Sequence, residues 1–205
     1  MLDMLVSEPV AQSVRTTLNR RDKHTEHLTC LGYHQRTCLR GEPMHRILFV
    51  CLGNICRSTM AQSVMQYLVD EAGRADEFVI DSAGTSSEES GNPPHRGTVE
   101  KLRRERIPLV AHHARRARAA EYDKWGLIVY MDEDNKWALM RLFNNDPEHK
   151  CTKLLSFIPE DSSFRPRAHL HDGAVRDVAD PWWTGNFDDT YRDVRAGCEA
   201  LLATL

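Results

Sequence analysis

Cys51 and Arg57 stand with five residues between them in the segment Cys51-Leu52-Gly53-Asn54-Ile55-Cys56-Arg57-Ser58. A thiol so spaced from a guanidinium suits the handling of a phosphate group. The thiolate is the nucleophilic form of cysteine. Arginine offers a planar fork that grips two phosphate oxygens at once, which lysine cannot reproduce. Gly53 and Asn54 are among the residues best able to take a left-handed backbone conformation, and a tightly curled loop needs one. Ser58 is placed to donate a hydrogen bond to the Cys51 sulfur.

Such a loop acts only if its neighbours hold it. RILFVC (46–51) is a short continuous apolar run, as in a strand covered on both faces. After the loop, RSTMAQSVMQYLVDEA (57–72) sets Met60, Val64 and Leu68, with Ala61 and Met65 one step round, on one helical stripe. A loop between a strand's carboxyl end and a helix start turns backbone N–H groups inward, and the helix dipole adds positive potential. The cradle that binds an anion also favours an anionic sulfur.

The same order recurs downstream. EFVIDS (77–82) reads as a second strand, followed by the loop SAGTSSEESGNPP and a helix from near Pro94 to near Ile107. LIVYM (127–131) reads as a third, with Asp132 as N-cap of a helix whose Trp137, Leu139, Met140 and Phe143 are core candidates. KLLSF (153–157) reads as a fourth, and FDDTYRDVRAGCEALLATL as the closing helix. Four strand-helix units imply an α/β fold, a doubly wound four-stranded parallel sheet with helices on both faces and the phosphate loop after the first strand. Ligands then belong at the strands' carboxyl ends, at a switch point. One domain, residues 44–205, is expected; residues 1–43 are polar, lack sustained apolar periodicity and read as a flexible extension, with Met44 a candidate alternative start.

With these elements in place, CLGNICRS resembles the phosphate loop of low-molecular-weight protein tyrosine phosphatases, and VADPWW (178–183) resembles that family's acid loop. The resemblance spans Met44 to Leu205. It implies Cys51 as nucleophile, Arg57 as phosphate clamp and Asp180 as the acid that protonates the departing tyrosine oxygen and then takes a proton from water. That role expects Asp180 to be buried beside Trp182. The resemblance further implies a substrate-binding set of Leu52, Gly53, Asn54, Ile55, Cys56 and Ser58 in the loop, with Trp182 and Trp183 at the lip. Glu88 falls where the family carries a bulky rim side chain, and the pair Glu88-Glu89 should favour basic or neutral substrate flanks. SAGTS (82–86), GNPP (91–94), the stretch His112 to Arg115 and MDEDN (131–135) match as scaffold. Thr59 replaces a common proline. Glu105 stands where relatives often carry a histidine behind the loop asparagine, so the support of Asn54 is left open.

The remaining residues set bounds. A net charge of −3 gives no electrostatic reason to expect nucleic acid or an anionic membrane as partner, and 41% hydrophobic with 28% charged residues is ordinary globular composition. Six cysteines without paired spacing suggest a reducing, cytoplasmic compartment. Cys56 has two readings: a reversible disulfide partner that shields Cys51, or a small apolar packing residue. Cys30, Cys38, Cys151 and Cys198 read as incidental thiols. His169-Leu170-His171-Asp172 lacks a second ligand group, so no metal and no other cofactor are expected. Arg115, Arg116 and Arg118 read as a solvated helical face, and Trp125 and Trp137 as core. The expected partners are phosphotyrosine proteins, and the chain is expected to be monomeric. Competing readings are a protein arginine phosphatase, disfavoured by aliphatic Ile55 where that group carries threonine; an arsenate reductase, which needs two further close cysteines; and a non-catalytic phosphate-binding module, which needs neither nucleophile nor acid.

Overall fold

The computed structural model describes residues 45–164 and 174–205. Four strands form one parallel sheet in the order β2-β1-β3-β4: β1 His45–Cys51, β2 Phe78–Gly84, β3 Leu127–Tyr130 and β4 Cys151–Lys153. The helices are α1 Arg57–Glu71, α2 Arg96–Arg104, α3 Glu133–Leu142, the short α4 Pro181–Thr184 and α5 Phe187–Thr204.

Strand β1 lies between β2 and β3, so the chain reverses its direction of travel across the sheet there. Cys51 pairs with Gly84 of β2, and Val50 with Tyr130 of β3. All three strands therefore end together, and the crevice at their carboxyl ends is the expected ligand position. Side chains along β1 alternate between two cores. Ile47, Phe49 and Cys51 join Met60, Val64 and Met65 of α1 and Val194, Cys198 and Leu201 of α5. Leu48 and Val50 face the other way, onto Trp125, Tyr130, Leu139 and Phe143. The continuous apolar run in β1 is thus explained by burial on both faces, each such side chain being worth about 1.5–3 kcal/mol.

Three expectations shift. KLLSF is not a strand: β4 stops at Lys153, and Leu154–Phe157 is a 3-10 turn. Leu154 and Leu155 are both fully buried in the same core, which strict alternation forbids. Leu154 also fits only because α5 has Gly197, where a Cβ would lie 2.5 Å from Leu154 Cγ. The second helix is shorter than the stretch Pro94 to Ile107. It begins after His95, whose Nδ1 accepts the Gly97 N–H at 3.1 Å, and it stops before Arg106, which takes φ 59°. Trp137 is not core but 59% exposed, whereas Trp125 is buried as expected. Among the described residues no helix is long and apolar enough to cross a membrane.

Candidate active site

The segment from Leu52 to Cys56 curls between β1 and α1. Its one left-handed residue is Asn54, φ 59°; Gly53 is not in that region, and a Cβ there would lie 3.1 Å from Glu89 Cγ, a contact that a small shift of the glutamate side chain relieves. The loop is pinned from β2: Thr85 N–H donates to Cys51 O at 2.9 Å and Ser86 N–H to Leu52 O at 3.0 Å. Gly84 is required for that approach, because its Cβ would stand 2.6 Å from Leu52 O. On the far side His95 N–H donates to Ile55 O at 2.7 Å.

Asn54 organises the interior. Arg115 N–H can only donate, and it reaches Asn54 Oδ1 at 2.9 Å, so the amide orientation is fixed. Asn54 Nδ2 then donates to Ser58 Oγ and to Ser82 Oγ, each at 3.0 Å. His112 Nε2 faces Asn54 Oδ1 at 3.0 Å and Asn54 O at 3.2 Å, two acceptors, so it carries the proton. The support left open in the sequence is therefore His112, four residues beyond Pro108 and far from Glu105 in role: Glu105 pairs with Lys101. Burial holds the His112 imidazole below its ordinary value, against the pull of Asn54 and Asp81.

This order of donors fixes the next one. Ser58 Oγ accepts from Asn54, which leaves its own proton for Cys51 Sγ at 3.0 Å. Asn54 N–H adds a second donor to that sulfur at 3.3 Å. Cys51 thus ends its strand buried, with two hydrogen bonds aimed at it. Cys56 differs: burial first, then the charges of Cys51 and Asp180, push its thiol up to about 12, and it packs with Ile55, Ala114 and Phe187. Both cysteines are free thiols.

Arg57 is buried, its side chain 4% exposed, between two carboxylates: Nη1 donates to Asp132 Oδ2 at 2.5 Å and Nη2 to Asp180 Oδ2 at 2.6 Å. Burial opposes its charge, but Cys51, Asp132 and Asp180 outweigh it and hold the guanidinium above its ordinary value. Two of its five N–H groups are so engaged, which leaves three for an oxyanion. Asp132 was legible only as an N-cap, which it is, accepting Asn135 N–H at 2.6 Å on Oδ1. Its second oxygen sets the arginine, a role detectable only from the neighbouring ends of β1 and β3.

Asp180 caps α4, with Oδ1 accepting Trp182 N–H at 3.0 Å. Trp182 does not bury it, being 55% exposed; the guanidinium shields it instead. The loop before it is tied down on three sides. Val178 N–H donates to Met131 O, Thr190 Oγ1 to Ala179 O, and the buried Lys153 ammonium reaches Asp177 Oδ1 at 2.8 Å, Val175 O at 3.0 Å and Glu133 Oε1 at 2.7 Å. Arg176 pairs with Asp193 of α5.

The two segments meet around a pocket of about 210 Å³. It is lined by Cys51, Leu52, Gly53, Ile55, Cys56 and Arg57 from the loop, Glu88 and Glu89 on one rim, and Asp180, Trp182 and Trp183 on the other. Asn54 and Ser58 lie behind this lining. Arg115 is not on a helical face: it bonds Asp81 and Glu121 in an extended segment beside β2. The run His169-Leu170-His171-Asp172 lies outside the described residues; among those described, no group of three His, Cys, Asp or Glu is placed to hold a metal.

The family model for low molecular weight phosphotyrosine protein phosphatase matches residues 46–205. The chain belongs to that family. A low molecular weight protein-tyrosine-phosphatase of Bacillus subtilis, YfkJ, is 37% identical over 162 residues, 79% of this chain and 96% of the relative. The YfkJ crystal structure superposes with a TM-score of 0.70, covering 78% and 94% of the two chains. SP-PTP, a low molecular weight protein tyrosine phosphatase from Streptococcus pyogenes, gives 0.64 at 32% identity, covering 79% and 93%. DARP, a Drosophila arginine phosphatase, gives 0.64 at 26% identity, covering 77% and 96%. The phosphatase fold of this family therefore accounts for the four-stranded sheet and for the loop after its first strand.

Proposed function

We propose that this chain hydrolyses phosphotyrosine in proteins, and aryl phosphates, through a phosphocysteine intermediate. The observation that carries the reading is the convergence of Cys51, Arg57 and Asp180 on one pocket with an aromatic lip. In the first step the Cys51 sulfur forms a bond to phosphorus as the bond from phosphorus to the phenolic oxygen breaks. Asp180 gives its proton to that oxygen, a poor leaving group at a phenol pKa of about 10. Arg57 and the loop N–H groups hold the equatorial oxygens, where the charge of the transferring group lies. In the second step water attacks phosphorus, Asp180 takes its proton, and the sulfur leaves as a thiolate held by Ser58 and Asn54 N–H. One Asp180 oxygen must exchange its present partner for substrate, and a phosphate on Arg57 would compete for the same guanidinium.

Residues 44–205 carry this activity in our reading, in line with the extent of the family match. Phosphoarginine is the second substrate to weigh because an arginine phosphatase shares the fold at 26% identity. The aliphatic Ile55 wall of the pocket favours a phenyl ring over a guanidinium. The test is a panel on the full chain in chelator: p-nitrophenyl phosphate, and phosphotyrosine, phosphoarginine and phosphoserine peptides. Turnover of the first two is expected, and Asp180→Asn should slow poor leaving groups about 10²- to 10⁴-fold and good ones far less. Preference for phosphoarginine, or equal slowing of all leaving groups, would overturn the assignment.

A further inference from the structure

A wider groove of about 890 Å³ adjoins the catalytic pocket. The two share Leu52, Arg57, Asp180 and Trp183, so they are continuous around one wall. Its far bank is the exposed face of α3, where Asp134, Trp137 and Arg141 follow at helical spacings of three and four.

Trp137 is the residue that asks for an explanation. It is a large indole at 59% exposure, and it lines the same groove as Trp183, which is 79% exposed. Tryptophan so exposed beside a substrate pocket is what binding surfaces use. The charges are also uneven. Asp132 and Asp180 are engaged by Arg57, and Glu133 and Asp177 by Lys153. Asp134, one helical turn before Trp137, has no ion pair among the described residues, and neither has Arg141, one turn after it on the same bank. Glu88 and Glu89 stand on the pocket's other rim.

The geometry points to a second half of the substrate site: the groove takes the polypeptide flanking phosphotyrosine and selects an arginine or lysine side chain there. This rests on the phosphotyrosine reading, since the occupant is assigned by continuity with the pocket. A tyrosine side chain fills the narrow pocket, and the chain that bears it must leave over Leu52 and Trp183. A basic residue carried along that path meets the exposed Trp137 indole, which the chain's own Lys136 Nζ approaches on one face at 5.8 Å from the ring centroid, leaving the other for a second cation with the Asp134 carboxylate beside it. An acidic residue would meet Asp134 on one side or Glu88 and Glu89 on the other, three carboxylates against Arg141, the one unpaired groove cation among the described residues. Small aryl phosphates, held in the catalytic pocket, reach neither Trp137 nor Asp134.

The test uses the full chain and its Trp137→Ala and Asp134→Asn variants. Substrates are p-nitrophenyl phosphate and phosphotyrosine peptides of equal length with Arg, Ala or Glu on either side of the phosphotyrosine. The wild type should prefer Arg over Ala over Glu in kcat/KM. Trp137→Ala should lose about two- to fivefold on the Arg peptides, the size of a cation on an exposed indole face. Asp134→Asn should narrow the preference for Arg over Glu. Both variants should keep aryl phosphate kcat/KM within about twofold, because neither residue lines the catalytic pocket. Peptide kcat/KM unchanged in Trp137→Ala, with wild-type turnover intact, would overturn this inference alone. An equal loss on aryl phosphate would also overturn it, by showing that the residue serves the pocket itself. Failure of the wild type on every phosphotyrosine substrate would overturn both this inference and the function it rests on.

Discussion

Replacing Ser58 by alanine removes one hydroxyl, and the hydrogen-bond order around Asn54 says what that hydroxyl does. Its oxygen is occupied by the Asn54 amide, so its proton points at the Cys51 sulfur. A hydrogen bond to a charged group is worth about 1.5–3 kcal/mol. At 1.36 kcal/mol per tenfold, that is roughly 10- to 150-fold in rate. The two steps should not share the loss equally. When sulfur attacks, the bond stabilises the anion of the starting state, and losing it costs the step little. When sulfur departs, negative charge grows on it, and the missing donor raises that barrier in full. Ser58→Ala should therefore accumulate the phosphoenzyme. Rapid mixing with p-nitrophenyl phosphate should show a burst approaching one nitrophenol per active site. Steady-state kcat should be reduced by the factor above and KM reduced with it, so that kcat/KM changes far less. The variant also leaves one buried amide hydrogen of Asn54 without an acceptor, about 1–3 kcal/mol, which predicts a Tm lower by roughly several degrees. Equal falls in kcat and kcat/KM without a burst, or kcat within about twofold of wild type, would refute the reasoning.

Gly84→Ala places a methyl 2.6 Å from Leu52 O and 3.3 Å from Asn54 Cβ, so the phosphate loop must move. We expect about 1–3 kcal/mol of lost stability and at least about tenfold lower kcat/KM with an unchanged far-UV CD spectrum; unaltered kinetics would contradict it. Lys153→Met frees the acid loop from its buried ammonium. It should lower kcat several-fold more for poor leaving groups than for good ones, with Lys153→Arg recovering most of the loss; a uniform loss would instead mark a purely structural residue. His112 titrates below its ordinary 6.5, so its contribution to stability is complete above that value and is lost as pH falls through the lowered one. The Tm gap between wild type and His112→Gln should accordingly shrink from pH 7.5 to pH 5; a constant gap would contradict the assignment.

The curled loop from Cys51 to Ser58 was legible because a tight turn restricts residue types locally: Asn54 takes the left-handed conformation, and the segment lies between two unmistakable elements. That Asp180 reaches Arg57 could be expected only through the resemblance, since the two are 123 positions apart and nothing local marks the pair. What the sequence hid shares one cause. Asp132, His112 and Lys153 act through partners brought near by the sheet order, and each has an ordinary local explanation. Trp137 followed the same logic in reverse. An indole on an amphipathic helix reads as core until the fold shows which face looks at the groove. The fourth strand lies two residues earlier than KLLSF and ends at Lys153, because Leu154 and Leu155 turn into one core together and Leu154 needs the Gly197 gap to do so.

The central claim is a covalent bond between phosphorus and the sulfur of Cys51. It is tested by acid-quenching Ser58→Ala during turnover of p-nitrophenyl phosphate and measuring the intact mass and the phosphorylated residue. The account requires one added phosphate, on Cys51, absent in Cys51→Ser together with all turnover. No phosphate on that sulfur, with hydrolysis persisting in Cys51→Ser, would contradict it.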